Sequence, residues 1–344
     1  MVKSLTRRRF LQTAAAAAAA GSFLPAFGTE SPILGQGDFR YRVVAGWGVL
    51  GAKTPVANCH GIVIDGEGHI ILLTDHIQNN VIVYDKRAKL VHKWGTIFPG
   101  AHGLSIMAEG GKQVLYITDL KTHKVYKTSL DGKVLDEWGW PEQTGKYAKE
   151  DDYRPSWTLH LPDGSFFVLD GYGRDYITHY SADGKFLKMF GGQEGGIHHW
   201  GPHGGMADLR DPAAPSLLIA MSDQQYLLRL SPDGGKLAQI DLPGGNPRQI
   251  RLHKDVYYLA HLGDNWPKNP NCHGFVSVLD KDLKVLSNIG GTPPVYNDAG
   301  MLQPMRHQEE VFIHPHDLIV DDEESLYVAQ YASNKTYPIK LERV

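Results

Sequence analysis

The sequence predicts an all-β protein with the architecture of a six-bladed β-propeller. Short runs of Val, Ile, Leu and Tyr recur along the 344 residues, and Asp-Gly turns that suit tight hairpins lie between many of them. Repeating units of about 40 to 50 residues with four short strands each are the signature of a propeller. The predicted units cover residues 56–97, 98–140, 152–192, 199–241, 244–291 and 310–344.

The outermost strand of each unit has a pattern of its own, alternating and then closing on an aromatic residue or Ile before Gly. It occurs at 90–95, 134–139, 186–191 and 285–290. The last unit lacks this strand, whereas residues 41–48 carry the pattern with no unit before them. We therefore expect the N-terminal strand to complete the last blade and close the ring, which hides two sheet edges. Three insertions, where substrate contacts usually lie, are expected to be loops: 141–154, 192–201 and 291–309.

The N-terminus resembles a twin-arginine export signal. Arginines precede Phe10 and Leu11, an alanine run covers 14–20, and small residues near 26–28 suit cleavage. A short membrane anchor or an amphipathic leader is the alternative. The predicted domains are a signal peptide over 1–28, a short linker over 29–38 and one propeller over 39–344. We expect a periplasmic or secreted protein with no stable membrane span after the signal is removed.

Charge and cysteine content narrow the class of protein further. Loss of Lys3 and of the arginines at 7–9 with the signal changes the formal net charge from −3 to −7, so no nucleic-acid partner is expected. Cys59 and Cys272 are the only cysteines. They either form one disulfide in an oxidising compartment or remain two buried thiols.

Histidines at the start of strand-like runs are the strongest functional signal. In a propeller the innermost strand of every blade starts near the central axis, so equivalent positions form a ring. Aligning the units places the following residues on it: His60, His102, Ser156, His203, Arg248 and His316. The histidines of blades two, four and six come from alternate blades, and three converging imidazoles leave an open position as in catalytic zinc sites. The alternative is that each histidine only hydrogen-bonds the neighbouring blade.

Other residues near the axis extend this prediction. His60 and His314 add nitrogen donors, either around the metal, in contact with substrate or as a fourth ligand. Arg248 cannot bind a metal but suits an anionic substrate. Asp317 and the backbone carbonyls of Leu104 and Ile62 form a candidate calcium site, because calcium prefers oxygen ligands. The alternative for Asp317 is a bond to a backbone amide.

The residues resemble the peptidyl-α-hydroxyglycine α-amidating lyases, six-bladed propellers related to NHL-repeat proteins, along about 40–344. The best segments are 167–172 running on to 183–186, 202–203, 274–276 and 314–319. The resemblance implies a catalytic zinc on His102, His203 and His316 and a structural calcium at Asp317. It also implies that Tyr172 acts as a base toward a substrate hydroxyl.

The chain departs from the pattern of that family around the predicted substrate. The positions nearest to two family arginines carry Asp75 and residues 223–224, and His314 replaces a methionine. The cysteines that bracket the tyrosine's blade in that family are missing, and Gly173 lies beside Tyr172. Because a buried carboxylate needs a charged partner, these changes predict an altered substrate.

The sequence thus predicts an exported, metal-dependent lyase that cleaves a carbon–nitrogen or carbon–oxygen bond in a small-molecule, peptide or sugar substrate. Zinc is the expected metal, with manganese, iron or cobalt as alternatives. Tyr172, His314 and His60 are the predicted catalytic groups. The predicted substrate-binding groups are Arg248, Asp75 and His261.

Two other functions remain open at this point. The first is a propeller lyase acting on a carbohydrate, with aromatic residues that either stack on sugar rings or pack the blades. These are Trp140, Tyr153, Trp157, Trp200 and Trp266. The second is a non-catalytic binding propeller of the NHL type, since a fold does not imply catalysis.

Overall fold

The computed structural model describes residues 32–199, 201–266, 268–269, 271–332 and 335–344. The predicted signal peptide and Trp200 lie outside the described residues. None of the helices in the described ranges is long and apolar enough to span a bilayer.

Antiparallel strands account for nearly all of the regular structure in the described chain. In chain order they are β1 Ile33–Gln36, β2 Phe39–Val44, β3 Cys59–Ile64, β4 Ile70–Thr74, β5 Val81–Tyr84, β6 Leu90–Trp94, β7 Ala101–Glu109, β8 Lys112–Asp119, β9 Lys124–Ser129, β10 Val134–Trp138, β11 Trp157–His160, β12 Phe166–Leu169, β13 Tyr176–Tyr180, β14 Phe186–Gly191, β15 Pro202–Asp208, β16 Ser216–Met221, β17 Tyr226–Leu230, β18 Lys236–Asp241, β19 Pro247–His253, β20 Val256–His261, β21 Phe275–Leu279, β22 Val285–Ile289, β23 Pro315–Val320, β24 Leu326–Gln330 and β25 Ile339–Arg343. Short 3-10 turns form at Glu142–Thr144, Glu150–Asp152 and Gln193–Gly195.

Six sheets form the six blades, which confirms the predicted fold class. Blades one to five are consecutive four-stranded meanders, from β3–β6 through β19–β22. The sixth sheet has the order β1-β2-β25-β24-β23. In it β2 pairs with β25, with Tyr41 opposite Arg343 and Val44 opposite Lys340. The N-terminal strand therefore closes the ring as predicted, and part of the expected linker forms β1 as a fifth strand.

Burial explains why the middle strands read as continuous apolar runs. Every residue of β4 and β5 is buried, because a neighbouring blade covers each face of the sheet. Val63, Leu73 and Val83 of blade one pack against Leu104 and Ile117 of blade two in one such interface. The outer strand β10 has four exposed residues out of five, so its sequence is polar.

The insertion at 291–309 contains two isolated β-bridges, which join Gly291 to His307 and Tyr296 to Leu302. Cys59 and Cys272 are both buried and both free. The disulfide alternative is therefore wrong, and the buried-thiol alternative is confirmed.

Candidate metal centre

The ring residues sit at irregularities in the innermost strands. The pairing register shifts between Cys59 and Gly61, and again between Ala101 and Leu104. Equivalent shifts occur in blades four, five and six, around His203, Arg248 and His316. A bulge re-aims the side chain of its extra residue. The repeated bulge is therefore the local reason why these side chains leave the sheet and meet near the axis.

Glycine follows His102 and His203 because the inner strand of the next blade comes very close. A Cβ atom on Gly103 would lie 2.5 Å from the Ser156 carbonyl oxygen. One on Gly204 would lie 2.3 Å from the Arg248 carbonyl oxygen. Neither gap holds a side chain, so glycine is what allows these blades to approach.

Those same carbonyl groups fix the histidine rings. Nδ1 of His102 donates to the Ser156 carbonyl at 2.9 Å, and Nδ1 of His203 donates to the Arg248 carbonyl at 3.2 Å. Nδ1 of His316 donates to the His60 carbonyl at 2.7 Å. Since a carbonyl only accepts, each Nδ1 carries the proton and each Nε2 keeps its lone pair. The three histidines from alternate blades thus share one tautomer.

The rings of His102, His203 and His316 form a near-equilateral triangle. Their centroids are 4.8, 4.7 and 4.7 Å apart. Burial lowers the pKa of all three well below the usual range, so the imidazoles are neutral, which is the form that binds metals. Nε2 of His102 is buried and has no hydrogen-bond partner among the described residues. An unpartnered buried nitrogen in a cluster of imidazoles fits a transition metal better than calcium or magnesium.

His60 belongs to the same cluster. Its ring lies 4.9 Å from that of His102 and 4.8 Å from that of His316. Nitrogen atoms of these three residues all lie within 4.8 Å of one another. The structure therefore brings ligand nitrogens of His60, His102 and His316 together, and it places the His203 ring beside those of His102 and His316.

Tyr172 reaches the centre from the loop after β12. Its hydroxyl donates to Nε2 of His203 at 3.1 Å, and its ring is 5.0 Å from that of His102. Burial raises the pKa of Tyr172, and the positive charge of Arg248 opposes that rise. Arg248 is 8% exposed, and its Nε has no partner in the described chain. A buried cation with an unsatisfied donor therefore lies beside the tyrosine.

A buried carboxylate holds the loop that carries Tyr172. Asp170 accepts hydrogen bonds from the backbone amides of Arg154 at 2.6 Å and Arg174 at 2.7 Å, and from the Tyr147 hydroxyl at 2.9 Å. A Cβ on Gly173 would lie 2.2 Å from the Asp170 carboxylate. This explains the glycine beside Tyr172. Sequence reasoning missed Asp170, although the Asp-Gly-Tyr segment contained it.

Asp75 lies behind His60. Its Oδ2 is 3.8 Å from Nε2 of His60, and the Asn58 backbone amide and side-chain amide each donate to its carboxylate at 2.9 Å. Burial works against ionisation, but the bonds to His60 and Asn58 outweigh it and lower the pKa of Asp75 to about 2. Asp75 is thus an anion that faces the cluster through His60.

Two predicted site residues make their ring contacts outside the histidine cluster. His261 is fully buried, its Nε2 is 3.0 Å from the Ser277 hydroxyl and its ring stacks on Phe275 at 4.6 Å. Its predicted role in the substrate pocket is therefore not supported, because β20 directs it into blade five. His314 accepts from the Gly263 amide at 3.1 Å and packs on Trp266 at 4.5 Å. Burial lowers the pKa of His314 to about 4.

The candidate calcium site is filled by an arginine. Arg251 donates from Nη2 to Asp317 Oδ2 at 2.6 Å and from Nε to Oδ1 at 3.0 Å. Its Nη2 also lies 3.4 Å from the carbonyl oxygens of both Ile62 and Leu104. These are the oxygen atoms assigned to calcium from the sequence. The guanidinium supplies the positive charge there, so the residues do not fit a calcium ion.

Packing between blades explains some of the aromatic residues that the sequence offered as candidates for stacking on sugar rings. Tyr153 and Trp157 are at most 1% exposed and belong to hydrophobic clusters between blades. Trp140 is half-buried against Tyr147, and Trp266 packs on His314. The packing alternative therefore applies to Tyr153 and Trp157.

Comparison with known proteins identifies a distant relative and structures of similar fold. No protein-family model matches the chain. Peptidyl-alpha-hydroxyglycine alpha-amidating lyase 1 of Drosophila melanogaster is 26% identical over 262 residues, which is 70% of this chain and 45% of that protein. The chain thus spans less than half the length of this relative.

Solved structures with a similar fold include two lyases. The streptogramin B lyase structure has a TM-score of 0.57 at 13% identity and covers 85% of this chain and 95% of its own. Virginiamycin B lyase from Staphylococcus aureus has a TM-score of 0.55 at 12% identity and covers 89% of this chain and 100% of its own. At such identities the likeness shows the fold alone. The chain is a six-bladed propeller with distant homology to an amidating lyase.

Proposed function

We infer that this chain is a metal-dependent lyase whose metal is held by His102, His203 and His316 and whose substrate carries a negative charge. The observation that supports this most directly is the common anchoring of the three rings. Each gives its Nδ1 proton to a carbonyl of the next blade and turns Nε2 inward. In metal sites, a hydrogen bond from the ring nitrogen that does not bind the metal fixes the orientation of the histidine.

The distant amidating-lyase relative adds support for lyase chemistry. When bound, a divalent metal such as zinc would polarise a substrate hydroxyl or carbonyl oxygen as a Lewis acid. Tyr172 is the group that removes or relays the proton of the substrate hydroxyl, because its own hydroxyl already reaches the cluster. The electron pair of that O–H bond then forms a carbonyl. The bond from the same carbon to nitrogen or oxygen breaks, and the leaving atom takes up a proton.

Arg248 supports the anionic substrate that its ring position suggested from the sequence. The positions of the family arginines carry acidic or neutral residues here, which argued for a substrate other than peptidyl-hydroxyglycine. The structure supplies a different buried cation, from blade five, next to Tyr172. A buried guanidinium whose Nε has no partner among the described residues favours an anionic group, because carboxylates bind a guanidinium through two parallel hydrogen bonds. Export to the periplasm remains part of the proposal and depends on the N-terminal pattern.

Metal analysis and a substrate panel test the proposal together. The full chain, purified and assayed for bound metal, is tested on α-hydroxyglycine peptides and on uronate-containing sugars. His102→Ala and His203→Ala should each lose metal and turnover. Tyr172→Phe should keep its metal and lose at least about 100-fold in kcat, the usual contribution of a general base.

The matched control is His179→Gln. His179 is a histidine of blade three that stacks on Phe167 and bonds Ser165, away from the axis. It should keep both metal and turnover. Full activity in metal-depleted wild-type protein, or unchanged metal content in His102→Ala, would contradict the proposal.

A further inference from the structure

His60 differs from the other three histidines in how it is held. It does not give Nδ1 to a backbone carbonyl; that nitrogen lies 3.5 Å from Nε2 of His316. Its Nε2 points toward Asp75, 3.8 Å from Oδ2. The side chain is 5% exposed. A buried ring thus presents one nitrogen to the cluster and the other to a carboxylate.

The distance between His60 and His316 is the separation expected of two ligands of one metal. Metal–nitrogen bonds of about 2.1 Å place two ligand nitrogens about 3.0 to 3.4 Å apart in octahedral or tetrahedral geometry. The observed 3.5 Å is about 0.1 Å above the tetrahedral value and about 0.5 Å above the octahedral value, so a small inward movement of His60 would complete the bond. It lies at the outer limit of a hydrogen bond between two imidazoles, so a hydrogen bond alone explains it poorly.

Asp75 provides the support that a ligating histidine needs. Its carboxylate is fixed by two bonds from Asn58 and faces Nε2 of His60. A carboxylate behind a histidine sets the tautomer and strengthens the donor nitrogen on the metal side. Asp75 therefore faces the outer nitrogen of His60 as the backbone carbonyls face the other three rings, but at 3.8 Å instead of 2.7 to 3.2 Å.

Ring contacts indicate how four histidines would share one ion. Five of the six possible pairs among them have centroids 4.7 to 4.9 Å apart. The sixth pair, His60 with His203, shows no ring contact in the described structure. Four ligands in a tetrahedron are all equally far from one another. Around a six-coordinate metal, by contrast, two ligands on opposite sides are farther apart than two neighbouring ligands.

We propose that His60 is a fourth metal ligand through Nδ1, positioned by Asp75, and that the centre takes a six-coordinate metal with two adjacent open positions. This rests on the proposed metal at His102, His203 and His316. Iron, cobalt, nickel or manganese suits such a centre better than tetrahedral zinc. Two adjacent open positions suit a substrate that binds through two atoms, such as a hydroxyl and a neighbouring carboxylate.

Ligand counting on the wild-type protein tests this without any substitution. X-ray absorption of the full chain, loaded with Co²⁺ or with the metal that copurifies, should show four imidazoles. A count of three overturns the proposal while leaving the three-histidine centre intact. A wild-type chain that binds no metal overturns both.

Metal affinity gives a second, independent measurement. Calorimetric titration of the metal-depleted chain with Co²⁺ should show binding weakened by on the order of 100-fold in His60→Ala and about 10-fold in Asp75→Asn. His179→Gln should match the wild type. If His60→Ala keeps the wild-type Kd and loses only turnover, His60 is a proton-transfer group and not a ligand.

Discussion

Replacing Arg251 by methionine should destabilise the whole propeller. Asp317 is fully buried, and Arg251 is bound to both of its oxygen atoms, at 2.6 and 3.0 Å. Methionine keeps most of the length of the arginine stem but removes the charge. The carboxylate would then remain buried without a cation, which typically costs about 3 to 5 kcal/mol.

The contacts in the structure place the expected loss within that interval. Two charges about 4 Å apart interact by about 4 kcal/mol at the effective dielectric of a protein interior near water. Asp317 retains hydrogen bonds from the amides of Ile62 at 2.9 Å and Leu318 at 2.8 Å, which soften the loss. The carbonyls of Ile62 and Leu104 lose a shared donor, which adds to it. We therefore expect about 3 to 4 kcal/mol.

Urea unfolding of Arg251→Met, Asp317→Asn and the double variant measures this loss. The double variant should be more stable than Arg251→Met, because the uncompensated charge is gone. Calcium chloride should stabilise Arg251→Met and leave the wild type unchanged, since only the variant opens the oxygen cage. A loss below about 1 kcal/mol, the range of a surface ion pair, would refute the reasoning.

Two further substitutions test the site's framework. Gly204→Ala should displace the carbonyl that anchors His203 and destabilise the fold by about 1 to 3 kcal/mol. Gly139→Ala is the control and should not destabilise it, because no described atom lies within 4 Å of the Cβ that it adds. Equal unfolding midpoints for the two variants would contradict this prediction. Burial raises the pKa of Asp170 to about 7, so its stabilising contribution is complete below its unfolded pKa near 4 and is lost as the pH rises through 7. Between about pH 4 and pH 7 the wild type should lose up to about 4 kcal/mol of unfolding free energy through this group. Asp170→Asn should therefore flatten the dependence of Tm on pH in that range, and an unchanged slope would count against this reasoning.

The sequence contained most of the fold because strand periodicity and the outer-strand pattern repeat in every blade. The positions of His102 and His203 could be predicted from the glycine that follows each, because the close approach of the next blade leaves no room for a side chain there. The partner of Asp317 was not readable. Arg251 occupies an ordinary strand position with no motif, and only the three-dimensional fold brings it across the axis.

His261 shows a different limit. It ends the second strand of its blade, and side chains alternate between faces along a strand. A difference of one residue in register decides which face of the blade carries such a side chain. Pattern matching fixed the strand but not that register, so a substrate role was assigned to a histidine that stacks on Phe275.

Arg251 contacts residues from four other blades. From blade five, Arg251 contacts carbonyls of blades one and two, the carboxylate of blade six and, at 5.6 Å, the Trp157 ring of blade three. One side chain thus bridges the inner strands on the side of Asp317. Tyr172 lines a cleft together with residues of the insertions at 141–154 and 192–201. Under the proposed function we expect substrate to enter along this cleft, because the Tyr172 hydroxyl bonds His203 of the histidine cluster.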